Sequence, residues 1–202
     1  MFDCFSVLGE PRRPWLDPEA LKERFHALSS EAHPDRVHGA SEAERRAANE
    51  RYTALNAAYQ CLREPRQRLA HLIELERGVR PGAIQTFPSD LMALFLEVGA
   101  RLKEADRLLA EKSALTSPLL KVQLFSRVQE LGEHLSQLHQ SLADRQAALE
   151  NELRDVDREW CAAGAGARAQ ELGRLEEIYR RLSYFSRWQG QLQERILQLT
   201  WS

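Results

Sequence analysis

A chain of 202 residues with 43% hydrophobic content is enough for one or two packed domains. Its net charge of −2 divides as zero over residues 1–80 and −2 over residues 81–202, so neither half carries the basic excess of a nucleic-acid footprint. No apolar run is long enough to span a bilayer and Met1 opens no signal-peptide pattern, so neither a membrane nor nucleic acid is an expected partner.

In chain order, residues 2–8 form a short leading segment that offers Phe2, Phe5 and Leu8 to a core. Asp17-Pro18-Glu19 then reads as a helix start. The aspartate caps free N–H groups, proline fits the first helical position, and glutamate suits the positive end of the dipole. Leu21, Phe25, Leu28 and Ala32 follow at spacings of four, three and four, which is one apolar stripe. Pro34 ends that helix, because a proline pushes the preceding residue out of the α region. A polar segment runs from Arg36 to Ala40, and Ser41-Glu42-Ala43-Glu44 reads as a capping box. The next helix carries Ala48, Tyr52, Leu55, Tyr59 and Leu62. Two matching stripes joined by a short turn predict an antiparallel hairpin. Arg63-Glu64-Pro65 breaks the pattern, and Leu69, Leu72, Ile73 and Leu75 begin another helix.

This arrangement resembles the J domain of DnaJ-type co-chaperones over about residues 1–76. The resemblance rests on the His33-Pro34-Asp35 loop, on Leu21…Phe25…Leu28 before it, and on Leu55-Asn56-Ala57-Ala58-Tyr59…Leu62…Pro65 after it. The opening residues Phe2-Asp3-Cys4-Phe5-Ser6-Val7-Leu8-Gly9 and the helical region after residue 88 narrow it to the HscB family of iron–sulfur cluster assembly. The resemblance implies a chain without catalysis of its own, acting on an HscA/DnaK-type chaperone ATPase. In that reading Asp35 is the charge partner for a chaperone arginine, since a carboxylate accepts a bidentate guanidinium bond. Pro34 fixes the loop backbone, His33 orients it, and Lys22, Arg24 and Arg36 supply steering charge. The three basic residues also suit an ordinary solvated face. Glu23, Ala27 and Glu31 stand where many general J domains are basic.

Gly78, Pro81, Gly82 and Pro88 mark residues 77–88 as a linker, giving a domain of residues 1–76 and a second of residues 89–202. In the second domain Leu91, Phe95, Val98, Leu102, Ala105 and Leu109 read as a heptad stripe. Residues 113–118 read as a turn. A helix from about 119 to 161 carries Leu124, Val128, Leu131, Leu135, Leu138 and Leu142, then Leu149, Leu153, Val156 and Trp160. After a second turn at residues 162–167, Leu175, Ile178, Leu182, Phe185, Leu192, Ile196 and Leu199 complete an antiparallel three-helix bundle. The whole chain is therefore expected to be all-α. The heptads around residues 142–180 exceed what the family's bundle usually has. They predict an extension of the second and third bundle helices away from the first.

Met92, Leu96 and Gly99 fall to the side of the first stripe, and Tyr184 and Trp188 lie off the line of the third. Exposed apolar groups of this kind either seal the bundle or receive a partner. The HscB resemblance implies the latter: Met92, Leu96 and Glu97 on the first bundle helix, with Tyr184 on the last, would bind the cluster scaffold protein, IscU. The chain differs from the family pattern at Ala93, Gly99 and Ala100. The alternative is a J-domain co-chaperone for a different client, with the bundle as a generic helical adaptor.

An enzyme is not expected, because no nucleophile motif accompanies His33 and Asp35. No cofactor or metal is expected either. His26, His33, His38 and His71 lack the spacing of a helical zinc site, and Cys4, Cys61 and Cys161 include no Cys-x-x-Cys pair. This cysteine usage fits a reducing cytoplasm.

Overall fold

A computed structural model describes residues 2–33, 41–82, 87–115, 118–162 and 165–201. Seven α-helices follow in order: α1 Cys4–Leu8, α2 Pro18–Glu31, α3 Glu42–Arg63, α4 Pro65–Arg77, α5 Met92–Ala114, α6 Pro118–Ala162 and α7 Ala165–Trp201. A 3-10 turn, Ser89–Leu91, leads into α5. There is no strand among the described residues, as the all-α expectation required, and no helix there is long and apolar enough to cross a membrane.

The helix ends follow local chemistry. Asp3 accepts from the N–H groups of Phe5 and Ser6 at the head of α1, and Gly9 closes that helix at φ 68°. Asp17 accepts from Glu19 and Ala20 with Pro18 inside the first turn of α2. Ser41 and Glu44 form the reciprocal capping box of α3. Glu64, extended at ψ 112°, ends α3 and starts α4, whose first residue is Pro65. At the second bundle turn, expected over residues 162–167, α6 runs to Ala162 and α7 begins at Ala165; residues 163–164 lie outside the described residues.

Two compact units result, and they interleave along the chain. One comprises Met1–Gly82 and Glu150–Tyr179, the other Ala83–Leu149 and Arg180–Ser202. In the first unit Phe5 and Leu8 of α1 are buried with Leu21 of α2, Leu55, Ala58 and Leu62 of α3, and Leu69, Leu72 and Ile73 of α4. Phe2 is exposed and Cys4 takes the buried place instead. The ring of Phe25 stacks on Tyr59 at 4.3 Å and pins α2 to α3.

The extended ends of α6 and α7 belong to this same unit. Asp157, fully buried, accepts from Arg13 Nε at 3.0 Å and from the Trp15 N–H at 3.2 Å. The Trp160 indole N–H donates to the Arg12 carbonyl at 3.0 Å, and the Arg154 guanidinium stands 5.0 Å over the Trp15 ring. Arg77 of α4 pairs with Glu176 of α7. Arg68 is buried, donating to the carbonyls of Pro14 at 2.8 Å and Leu62 at 2.6 Å; burial pushes its pKa down to about 10.

In the second unit the α6 and α7 stripes hold buried positions, Leu131, Leu135, Leu138 and Leu142 on α6 and Leu182, Phe185, Leu192 and Leu199 on α7. The stripe of α5 is corrected. Its buried line runs Leu91, Leu94, Val98, Ala105 and Leu108, while Phe95 is 47% exposed. Both lines keep heptad spacing, and the choice between them falls on which face meets the other two helices. Trp188 is corrected as well: it is 4% exposed and belongs to the core.

Candidate functional site

His33 follows directly after the last turn of α2, whose Ala32 N–H closes on Leu28 O. Its ring is exposed and meets the Tyr52 ring of α3 edge-on, with centroids 5.6 Å apart. Pro34, Asp35 and Arg36 lie outside the described residues. Lys22 and Arg24 both sit on α2. Lys22 is exposed, with Glu19 3.6 Å away. Arg24 has an intramolecular task, since its Nε donates to the Leu8 carbonyl at 3.1 Å and ties α2 to the end of α1. Gly9 leaves room for that guanidinium, which a Cβ there would meet at 2.7 Å.

In the second unit the first turns of α5 present an apolar face. Met92 and Phe95 are each 47% exposed and Leu96 is 62% exposed, with exposed Glu97 beside them. Tyr184 of α7 is half-buried. Its ring contacts Phe87 at 4.9 Å, and Phe87 contacts Phe95 at 5.4 Å, so the three rings form a continuous path from α7 to the α5 face. Trp188 lies beneath, 5.6 Å from Tyr184 and 6.4 Å from Phe95. Phe87 and Phe95 are additions to the face expected from sequence. Phe95 was hidden by its heptad spacing, and Phe87 stands in the linker, where periodicity carries no information.

Among the described residues one group offers metal-ligand atoms, namely Cys4, Cys61 and His71 of the first unit. Their wide separation in sequence conceals the grouping.

No protein-family model matches the chain. A curated relative from Cupriavidus taiwanensis, a co-chaperone protein HscB homolog, is 31% identical over 176 residues, covering 87% of this chain and 89% of that protein. The chain belongs to the HscB co-chaperone family. A second HscB homolog, from Ralstonia nicotianae, is 45% identical over 75 residues. That match takes in 37% of this chain and only 42% of the relative, well under half its length. Among solved structures, the human co-chaperone HscB superposes with a TM-score of 0.61 over 96% of this chain and 80% of its own, at 18% identity. At that identity the likeness speaks for a shared HscB fold.

Proposed function

We propose that this chain stimulates the ATPase of an HscA/DnaK-type chaperone through His33-Pro34-Asp35 and presents to it an IscU-like iron–sulfur scaffold protein. Membership of the HscB co-chaperone family carries the reading, because the match to the Cupriavidus relative runs through both units rather than through the first alone. Two features of this chain support it. The tripeptide is intact, and its histidine stands exposed at the end of α2, where a partner can reach it. The α5 face of Met92, Leu96 and Glu97 is exposed, and Tyr184 joins it through Phe87 and Phe95. An apolar patch with one carboxylate at its edge suits a protein partner better than solvent.

The deciding experiment is a steady-state ATPase assay on the partner chaperone. Asp35→Asn should leave the fold intact and abolish stimulation; full stimulation by the variant would sink the mechanism. The client is tested separately. Met92→Ala with Leu96→Ala removes apolar area from the face at about 25 cal/mol per Å², or roughly 2–4 kcal/mol of binding, so scaffold affinity should fall at least about tenfold. Unchanged affinity, or a large drop in melting temperature, would return these residues to the bundle's own packing and leave a different client.

A further inference from the structure

Three side chains of the first unit converge where α1, α3 and α4 meet. Cys4 opens α1, Cys61 lies in the last turns of α3, and His71 is midway along α4. One ligand atom from each lies within 4.8 Å of the others. Cys4 is buried and Cys61 and His71 are half-buried. Both cysteines are free thiols. The imidazole is held in place on two sides: its ring stacks on Phe5 with centroids 5.9 Å apart, and its Nε2 accepts the Cys4 backbone N–H at 3.0 Å. An accepting Nε2 is an unprotonated nitrogen, which is the form that ligates a metal.

We propose that Cys4, Cys61 and His71 form a zinc-binding site that staples α1 to the α3–α4 corner. The chemistry of the donors selects the ion. Two sulfurs and one imidazole are soft and borderline ligands, which suit zinc and exclude the hard, oxygen-seeking magnesium and calcium. Two thiolates and a neutral ring also balance the charge of Zn²⁺, so the ion and its three ligands sum to zero beside the Asp3 carboxylate, 3.9 Å from His71 Nε2. The geometry needs little adjustment. Zinc–sulfur bonds of about 2.3 Å and zinc–nitrogen bonds of about 2.0 Å place tetrahedral ligands roughly 3.5–3.8 Å apart. Closing the present triangle therefore takes ligand-atom shifts of at most about 1 Å. Ligation replaces the hydrogen bond from the Cys4 amide, and both thiols lose their protons to solvent as the zinc–sulfur bonds form. The fourth position is left for water.

This inference is independent of the chaperone and scaffold contacts proposed above, which use other residues. It is tested on the reduced 202-residue chain, with Co²⁺ as a spectroscopic probe and Zn²⁺ as competitor. Wild type should take up one Co²⁺ with the near-ultraviolet charge-transfer band of cobalt–thiolate bonds, and Zn²⁺ should bleach that band. Removing an outer-shell partner of a zinc ligand costs roughly 10–100-fold in affinity, so loss of a ligand itself in Cys61→Ser should cost at least about 100-fold. His71→Gln should also lose the band, though its amide oxygen can still accept the Cys4 N–H. Cys161→Ser, at an exposed cysteine, should behave as wild type. A second measurement needs no variant: Zn²⁺ should protect Cys4 and Cys61 from alkylation and leave Cys161 reactive. Absence of the thiolate band in wild type, its persistence in Cys61→Ser, or equal labelling of Cys61 with and without zinc would each overturn the site.

Discussion

The Ser41–Glu44 cap is the simplest residue-level device in the molecule, and it has a measurable signature. The Ser41 hydroxyl and backbone N–H each donate to Glu44 Oε2 at 2.8 Å. Those bonds favour the ionised carboxylate and hold the Glu44 pKa below the ordinary glutamate value. The sign follows directly. The cap's contribution is in place above the ordinary glutamate pKa and is lost as pH falls through the depressed one. In an NMR titration of the Glu44 carboxyl, Ser41→Ala should move the midpoint upward toward the ordinary range; an unmoved midpoint would assign the shift to another cause. Arg68 is a second such residue, with opposite stakes. Its buried guanidinium donates to two backbone carbonyls, those of Pro14 and Leu62. Arg68→Leu should therefore destabilise the first unit by about 2–4 kcal/mol in urea unfolding, since it strands both acceptors.

At the scale of elements, α5 separates what periodicity can and cannot tell. Leu91, Leu94, Phe95, Val98, Leu102, Ala105, Leu108 and Leu109 satisfy two overlapping heptad lines. Composition alone favours the one that holds the phenylalanine. Packing chooses the other, leaving Phe95 half-exposed beside Met92 and Leu96. This makes a paired test. Leu94→Ala should cost about 2–4 kcal/mol as a buried truncation, whereas Phe95→Ala, although it removes more atoms, should cost about 1 kcal/mol or less. The reverse order in denaturant midpoints would restore the first line. The long helices α6 and α7 were more legible, because their leucines repeat without a rival line. Helix ends were legible wherever a cap is a local pairing, as at Asp17 and Ser41. The Phe87–Tyr184 contact was not, because it joins a linker residue to the last helix, and the Cys4–Cys61–His71 group was not, because it is assembled by three separate elements.

At the scale of the molecule, the extra heptads of α6 and α7 gain a structural reason. Residues 150–179 belong to the same compact unit as α1–α4, and Asp157 is the centre of that junction. Asp157→Ala leaves the Trp15 N–H and the Arg13 guanidinium without their acceptor. It should cost the 202-residue chain about 2–3 kcal/mol, discounted from a fully buried pair because Arg13 remains about a third exposed to water. Asp157→Asn keeps an acceptor for Trp15 and should cost less. Equal, negligible losses in thermal unfolding of both variants would remove the junction's role.

The interleaving of the two units also sets a timetable for the newborn chain. Residues 1–82 leave the ribosome long before Asp157 and Trp160 have been made. At roughly 5–20 residues per second, the wait until Tyr179 is about 5–20 seconds. Throughout that interval the segment around Arg13 and Trp15 lacks the Asp157 carboxylate to close on, and α1–α4 must persist on their own contacts. Completion of the first unit is thus deferred until residues 150–179 have been made, so a ribosome stalled before them would hold the α2–α3 hairpin with its Trp15 side uncovered.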